Sequence, residues 1–211
     1  MADCWIFGSL QINETNLNIP SEDFVIAADS GLETLKAFGI KPDLIVGDFD
    51  SLGYKPEGEN VVLHPIEKDD TDTLLSVKKG LEKGYRSFHI LGCIGGRLDH
   101  TFASIQTAAF IAENGGIAIL YDGNNRITVI KNRRITFTKE NKGIISVFAV
   151  SGEAEGVTEK GLHYELENTT LSPDFPLGVS NEFVGEDAYI EVKNGKLCII
   201  WDASQGSFKF D

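Results

Sequence analysis

Short apolar runs alternate with helical patterns through the first 125 residues, and from about Arg126 the helical periodicity disappears. That change limits the fold more than any other feature of the chain. Residues 4–8, 24–28, 44–46, 61–64, 88–91 and 117–121 read as short buried strands, rich in Val, Ile, Leu and Phe. Between Thr71 and Lys83, Leu74, Val77 or Lys78, and Leu81 fall at helical spacing; from Leu98 to Asn114, Phe102, Ile105, Ala109 and Ala112 do the same. Gly84 and Gly115 supply the stops. Strands alternating with helices predict an α/β N-terminal domain, residues 1–125, around a mostly parallel sheet, with ligands beyond the carboxyl ends of the strands.

The remainder, residues 126–211, reads as strands and turns, with strands predicted at 127–130, 135–138, 144–150, 188–192 and 197–201. Asn194-Gly195 predicts a hairpin pairing its two flanking strands. The expectation is a small all-β C-terminal domain, an antiparallel sandwich or barrel. So modest a core gains from packing on the first domain or on a second copy of the chain, which points to a homodimer.

Of the 211 residues, 42% are apolar, enough for a packed core and incompatible with a disordered chain. Nineteen Lys and Arg against 32 Asp and Glu give a net charge of −13, which excludes nucleic acid or an anionic membrane as the main partner. An acidic protein that binds phosphates then needs a metal and a few placed cations. Cys4, Cys93 and Cys198 are odd in number and far apart, so neither a disulfide framework nor a zinc site is predicted. The N-terminus lacks a basic flank with a long apolar core, and no segment approaches about 20 apolar residues. A soluble, cytoplasmic protein is expected.

Three segments carry chemistry. In Leu44-Ile45-Val46-Gly47-Asp48-Phe49-Asp50-Ser51 an apolar strand delivers two carboxylates one residue apart. On extended backbone Asp48 and Asp50 would project to one side with Cα atoms roughly 6.5 Å apart. Mg²⁺ would relieve their repulsion and keep positions open for phosphate oxygens and water; the plainer reading is a polar turn ending a strand. Glu67-Lys68-Asp69-Asp70-Thr71-Asp72-Thr73 lies where the helix ending near Lys83 should begin. Capping uses one side chain, so the surplus aspartates are candidates for the metal site, and the amides there can receive a phosphate. Leu91-Gly92-Cys93-Ile94-Gly95-Gly96-Arg97-Leu98-Asp99-His100 has the strand, glycine-rich turn and helix layout of a phosphate cradle, with Arg97 as a guanidinium fork. It matches neither the dinucleotide fingerprint nor the P-loop, and the competing reading is an ordinary turn with an Arg97–Asp99 salt bridge. His100 reads as structural.

Together these segments resemble the thiamin pyrophosphokinase family, in the order Ala28-Asp29-Ser30-Gly31, Gly47-Asp48-Phe49-Asp50-Ser51, Asp69-Asp70-Thr71-Asp72 and Gly95-Gly96-Arg97-Leu98-Asp99-His100. Thr158-Glu159-Lys160-Gly161-Leu162-His163-Tyr164-Glu165-Leu166 and Val179-Ser180-Asn181-Glu182 resemble the family's two C-terminal signatures. The resemblance implies transfer of a diphosphate group from ATP to the hydroxyethyl oxygen of thiamine, Mg²⁺ as cofactor, and a homodimer. It implies that Asp48, Asp50 and Asp72 hold the metal; that Asp29, Ser51, Lys68, Thr71 and Arg97 lie at the nucleotide; that Asp72, Arg97 and Asp99 serve catalysis; and that Tyr164, Ser180 and Asn181 meet thiamine. Tyr164 stands where many members have a tryptophan. Two alternatives are a phosphatase of the haloacid dehalogenase type, with a nucleophilic aspartate in Asp48-Phe49-Asp50, and a binding protein that holds thiamine or a nucleotide without turning it over.

Overall fold

Runs of three to six apolar residues are too short for helices, and here they become parallel strands. The computed structural model describes residues 2–12, 17–64 and 69–211, and the chain divides into two units, Met1–Gly123 and Asn124–Asp211. In chain order the first unit is β1 (Cys4–Phe7), β2 (Phe24–Ala28), α1 (Gly31–Ala37), β3 (Leu44–Gly47), β4 (Val61–Leu63), α2 (Asp72–Glu82), β5 (Ser87–Leu91), α3 (Leu98–Glu113) and β6 (Ile117–Asp122). The strands lie in the order β6-β5-β1-β2-β3-β4 and every pairing is parallel. The chain steps outward from β1 to β4, then returns to the far side of β1 for β5 and β6. The order therefore reverses between β1 and β5, the position where open sheets of this kind bind ligands.

Phe7, Val25, Ala27, Leu32, Leu35, Ile45, Phe49 and Leu91 form one buried cluster of this unit. On the other face α2 approaches through Gly80, where an added Cβ would lie 2.6 Å from the Phe88 ring and 3.2 Å from Cys4 Sγ. Both long helices stop as predicted, with Gly84 (φ 95°) and Gly115 (φ 74°) in the left-handed region just beyond them. The buried stripe of α3 shares Ala112 with the predicted one but otherwise differs from it: it is Ser104, Thr107, Ala108, Ile111 and Ala112, whereas Phe102 is exposed. Small residues let the helix lie close, and that contact set the phase rather than the bulkiest side chains. The seven-residue α1 was not predicted; Leu32 and Leu35 give it one buried edge. No helix among the described residues is long and apolar enough to cross a membrane.

The second unit contains β7 (Asn125–Lys131), β8 (Arg134–Phe137), β9 (Ile144–Ala149), β10 (Ala154–Lys160), β11 (Leu166–Leu171), β12 (Gly178–Glu182), β13 (Ala188–Glu191), β14 (Lys196–Asp202) and β15 (Phe208–Phe210). They pair antiparallel in the orders β12-β9-β14-β7 and β11-β10-β13-β8-β15. The two sets meet through aromatic edges, Phe137 on Trp201 at 5.5 Å and Phe208 on Trp201 at 5.0 Å between ring centroids. One expectation is corrected here. Asn194-Gly195 does turn the chain, with Gly195 at φ 114°, but β13 pairs with β10 and β8 while β14 pairs with β7 and β9. The turn passes the chain from one sheet to the other, held by the Glu155 amide donating to the Asn194 carbonyl at 2.7 Å.

Candidate active site

The ends of β1, β2, β3 and β5 and the heads of α2 and α3 surround a cavity of about 660 Å³ in the first unit. Its floor at the switch point is backbone. Beyond their ends β1 and β5 continue side by side, the Gly8 amide donating to Leu91 O at 2.8 Å and the Leu10 amide to Gly92 O at 3.0 Å. A Cβ on Gly8 would sit 2.6 Å from Gly92 O, and Gly92 has φ 66°, so both positions require glycine.

Asp29 follows β2 with φ 50°, its amide donating to Val46 O at 2.8 Å. β3 ends at Gly47, and the next turn departs from the extended backbone predicted for it: Phe49 has φ 63° and is only 3% exposed. A buried ring on a left-handed residue costs of order 1–3 kcal/mol locally and persists because the core holds it. Its consequence is that Asp48 and Asp50, on either side, turn away from the core. Gly47 lets Asp29 approach, since a Cβ there would lie 3.1 Å from Asp29 Cα. Carboxylate oxygens of Asp29, Asp48 and Asp50 all lie within 4.8 Å of one another.

Asp29 is 7% exposed. Ser51 Oγ donates to its Oδ2, with Ser9 Oγ at 3.5 Å from the same atom, while Oδ1 is buried with no hydrogen-bond partner among the described residues. An orphaned buried carboxylate oxygen beside two further carboxylates fits a hard divalent cation, which would supply the missing charge and take oxygen ligands. The family resemblance implied Asp29 at the nucleotide and Asp72 in the metal set. Asp72 lines the same cavity, outside the close trio.

At the head of α2 the cap is Thr71, whose side chain accepts from the Leu74 amide at 3.2 Å. Asp72 is the first helical residue, and Asp70 accepts from Lys78 Nζ at 2.6 Å. Lys68 lies outside the described residues. Arg97 precedes α3 in extended conformation and grips Asp99 with two bonds, Nε to Oδ1 at 3.1 Å and a terminal nitrogen to Oδ2 at 2.6 Å. The ion pair raises the guanidinium's pKa and lowers that of the carboxyl, and both groups are well exposed. The salt bridge and the cavity-wall position coexist, because Arg97 lines the cavity too. His100, read from sequence as structural, also lines it.

In the second unit Ser180 has φ 59° at a register shift in β12, its amide donating to Ser146 Oγ at 3.0 Å. The irregularity turns Asn181 inward, to 4% exposure, whereas Tyr164 is 66% exposed. Beside Asn181 lies Glu159 of β10, a buried carboxyl that sequence reading left without a role.

The model of the thiamin pyrophosphokinase catalytic domain matches residues 16–120, and that of the thiamin pyrophosphokinase vitamin B1 binding domain matches residues 132–197. The chain belongs to the thiamin pyrophosphokinase family. It is 31% identical over 182 residues to thiamine pyrophosphokinase of Bacillus subtilis, covering 83% of this chain and 85% of that one. It is 26% identical to thiamin pyrophosphokinase 1 of Caenorhabditis elegans, over 79% of this chain and 74% of that one. The crystal structure of the Bacillus subtilis thiamine pyrophosphokinase superposes with a TM-score of 0.82 at 26% identity, covering 97% of this chain and all of the other. A thiamin pyrophosphokinase family protein from Enterococcus faecalis gives 0.79 at 25% identity, covering 98% and 99%. The catalytic-domain match spans the acidic trio and Arg97, and the vitamin B1 binding match spans Tyr164, Ser180 and Asn181. The haloacid dehalogenase reading is not favoured.

Proposed function

We propose that the protein is a thiamine diphosphokinase, transferring a diphosphate group from ATP to the hydroxyethyl oxygen of thiamine to give thiamine diphosphate and AMP. One observation carries this reading: Asp29, Asp48 and Asp50 converge beside the switch-point crevice in a chain of this family. We assign Mg²⁺ to the trio; when bound, it offsets charge on the phosphate oxygens and leaves sites for them and for water. Ser51 fixes the Asp29 carboxyl, and the Thr71-capped head of α2 offers amides to a phosphate. Lys68 is assigned to the phosphates from the family resemblance.

Arg97 supplies a planar fork for phosphoryl oxygens, and Asp99 keeps that fork oriented until the nucleotide arrives. In the transfer the thiamine oxygen bonds to the β-phosphorus in line, the bond from that phosphorus to the oxygen shared with the α-phosphate breaks, and AMP leaves with that oxygen. Positioning and charge account for the catalysis, with no covalent enzyme intermediate. The hydroxyl proton needs an acceptor. Asp99 is a weakened base because Arg97 lowers its pKa, so we assign the proton to Asp72, which lines the cavity outside the trio.

In the second unit the exposed Tyr164 ring is assigned to stack on thiamine, and Ser180 and Asn181, from the other C-terminal signature, are assigned to the same thiamine site. The molecule is read as a cytoplasmic homodimer. Incubating purified protein with Mg²⁺-ATP and thiamine, then separating products by chromatography, tests donor, acceptor and bond cleaved together. Equal yields of AMP and thiamine diphosphate are expected. Phosphate release with a trapped aspartyl-phosphate, or saturable thiamine binding with no AMP, would reject the proposal.

A further inference from the structure

Asn181 has no hydrogen-bonding capacity left for a ligand. Its Oδ1 accepts from the amides of Tyr164 and Glu182, each at 2.9 Å. Its Nδ2 donates to the Tyr164 carbonyl at 2.7 Å and to Glu159 Oε2 at 3.0 Å. A primary amide has two donors and two acceptor lone pairs, and all four are used inside the protein. Two of those bonds close on the backbone N–H and C=O of one residue, Tyr164. Glu159, 1% exposed, braces the amide from the opposite side; its Oε1 is buried with no partner among the described residues.

We infer that Glu159 and Asn181 are positioning residues of the thiamine site, a buried carboxyl and a saturated amide that clamp the Tyr164 backbone so that its ring stands out as the platform. The inference rests on the reading of Tyr164 as that platform. Residues 161–165 carry further ties consistent with a held turn: the Gly161 amide donates to Glu165 Oε1 at 3.0 Å, and the His163 amide to Glu182 O at 2.9 Å. The His163 ring packs edge-on against Tyr164 at 4.5 Å. None of these grips both polar groups of the Tyr164 backbone; Asn181 does. Burial also raises the Glu159 carboxyl to about 7, so it can brace Asn181 with little buried charge in mildly acidic solution.

The test is a double-mutant cycle with a separate report on geometry. Asn181→Ala should raise the KM for thiamine about tenfold and leave the KM for ATP within twofold. Tyr164→Ala should do the same, and the double variant should be no worse than Tyr164→Ala, because a clamp with nothing to present has no further effect. Additive losses would mean that Asn181 meets thiamine itself, overturning the inference while leaving the proposed function intact. Amide hydrogen exchange at Tyr164 needs no turnover: it should speed at least tenfold in Asn181→Ala and in Glu159→Leu, and stay near the parent rate in Glu159→Gln, whose amide oxygen still accepts from Asn181. Glu159→Leu keeps the site filled with an apolar side chain, so the question stands even where Asn181→Ala fails to fold. Unchanged exchange in Glu159→Leu removes Glu159 from the clamp. A parent protein that forms no thiamine diphosphate refutes the proposed function, a result separable from the exchange measurement.

Discussion

Ser51 donates its hydroxyl hydrogen to one oxygen of Asp29, and the other oxygen of that carboxyl is buried without a donor among the described residues. An unsatisfied buried carboxylate oxygen costs roughly 1–3 kcal/mol or more. Asp48 and Asp50 stand beside it, so repulsion adds to the burden, and a bound cation would relieve it. On the proposed metal assignment, the trio without an ion is a source of instability that cation binding would convert into affinity.

Replacing Asp50 by Asn removes an exposed member of the trio while leaving the buried Asp29 in place. Turnover should fall at least a hundredfold, since a lost metal ligand is worth several kcal/mol of transition-state charge stabilisation. With EDTA the variant should melt no lower than the parent, because one repulsion is gone, and added Mg²⁺ should raise the melting temperature of the parent alone. Steady-state AMP formation and thermal scans with and without Mg²⁺ check both halves. Near-normal AMP formation at ordinary Mg²⁺ levels would contradict the metal assignment.

Arg97 and Asp99 are both solvent-exposed, so their salt bridge contributes little to stability. Arg97→Lys keeps the charge and loses the planar fork. Its expected effect is a fall in kcat of about a hundredfold with a melting temperature within about a degree of the parent, because a lysine cannot reproduce bidentate phosphate contact. Stopped assays and a thermal scan decide it.

Gly8 and Gly92 hold β1 and β5 together at the floor of the cavity. Gly8→Ala places a methyl 2.6 Å from a backbone oxygen, where no flexible side chain can yield. The strands must part, at a cost of about 1–3 kcal/mol, and the KM for ATP should rise. Urea unfolding and ATP titration of the variant measure the two effects.

Glu159 should make stability fall as pH rises. Its folded pKa, about 7, is raised from the ordinary 4.5 by burial, so between those values the folded state holds a proton that the unfolded state has released, and stability drops through that window before levelling off above it. The full difference amounts to about 3 kcal/mol. Glu159→Gln removes the effect, so the stability of the variant relative to the parent should grow by about 2–3 kcal/mol between pH 5 and pH 8 in urea titrations. A gap independent of pH would show that Glu159 is ionised throughout.

The parallel sheet was legible because strands buried on both faces must be apolar runs, and Phe24–Ala28 and Leu44–Gly47 are little else. β10, β11 and β12 escaped notice because Ala154–Lys160, Leu166–Leu171 and Gly178–Glu182 are largely polar and irregular in register, so no period of two survives in the sequence. The acidic residues could be found from their spacing, but the grouping of Asp29 with Asp48 and Asp50 could not. It depends on left-handed backbone at Asp29 and Phe49 and on the close approach at Gly47, which are tertiary facts. The Ser180 irregularity is of the same kind, and it decides that Asn181 faces inward.

Crystals grown with Mn²⁺ and a non-hydrolysable ATP analogue test the central claim most directly. The account predicts an anomalous peak at about 2.1 Å from oxygens of Asp29, Asp48 and Asp50, the ordinary distance for a small divalent cation, with phosphate oxygens completing its shell. A nucleotide bound in the cavity with no metal on that trio, or with the metal held elsewhere, would contradict it.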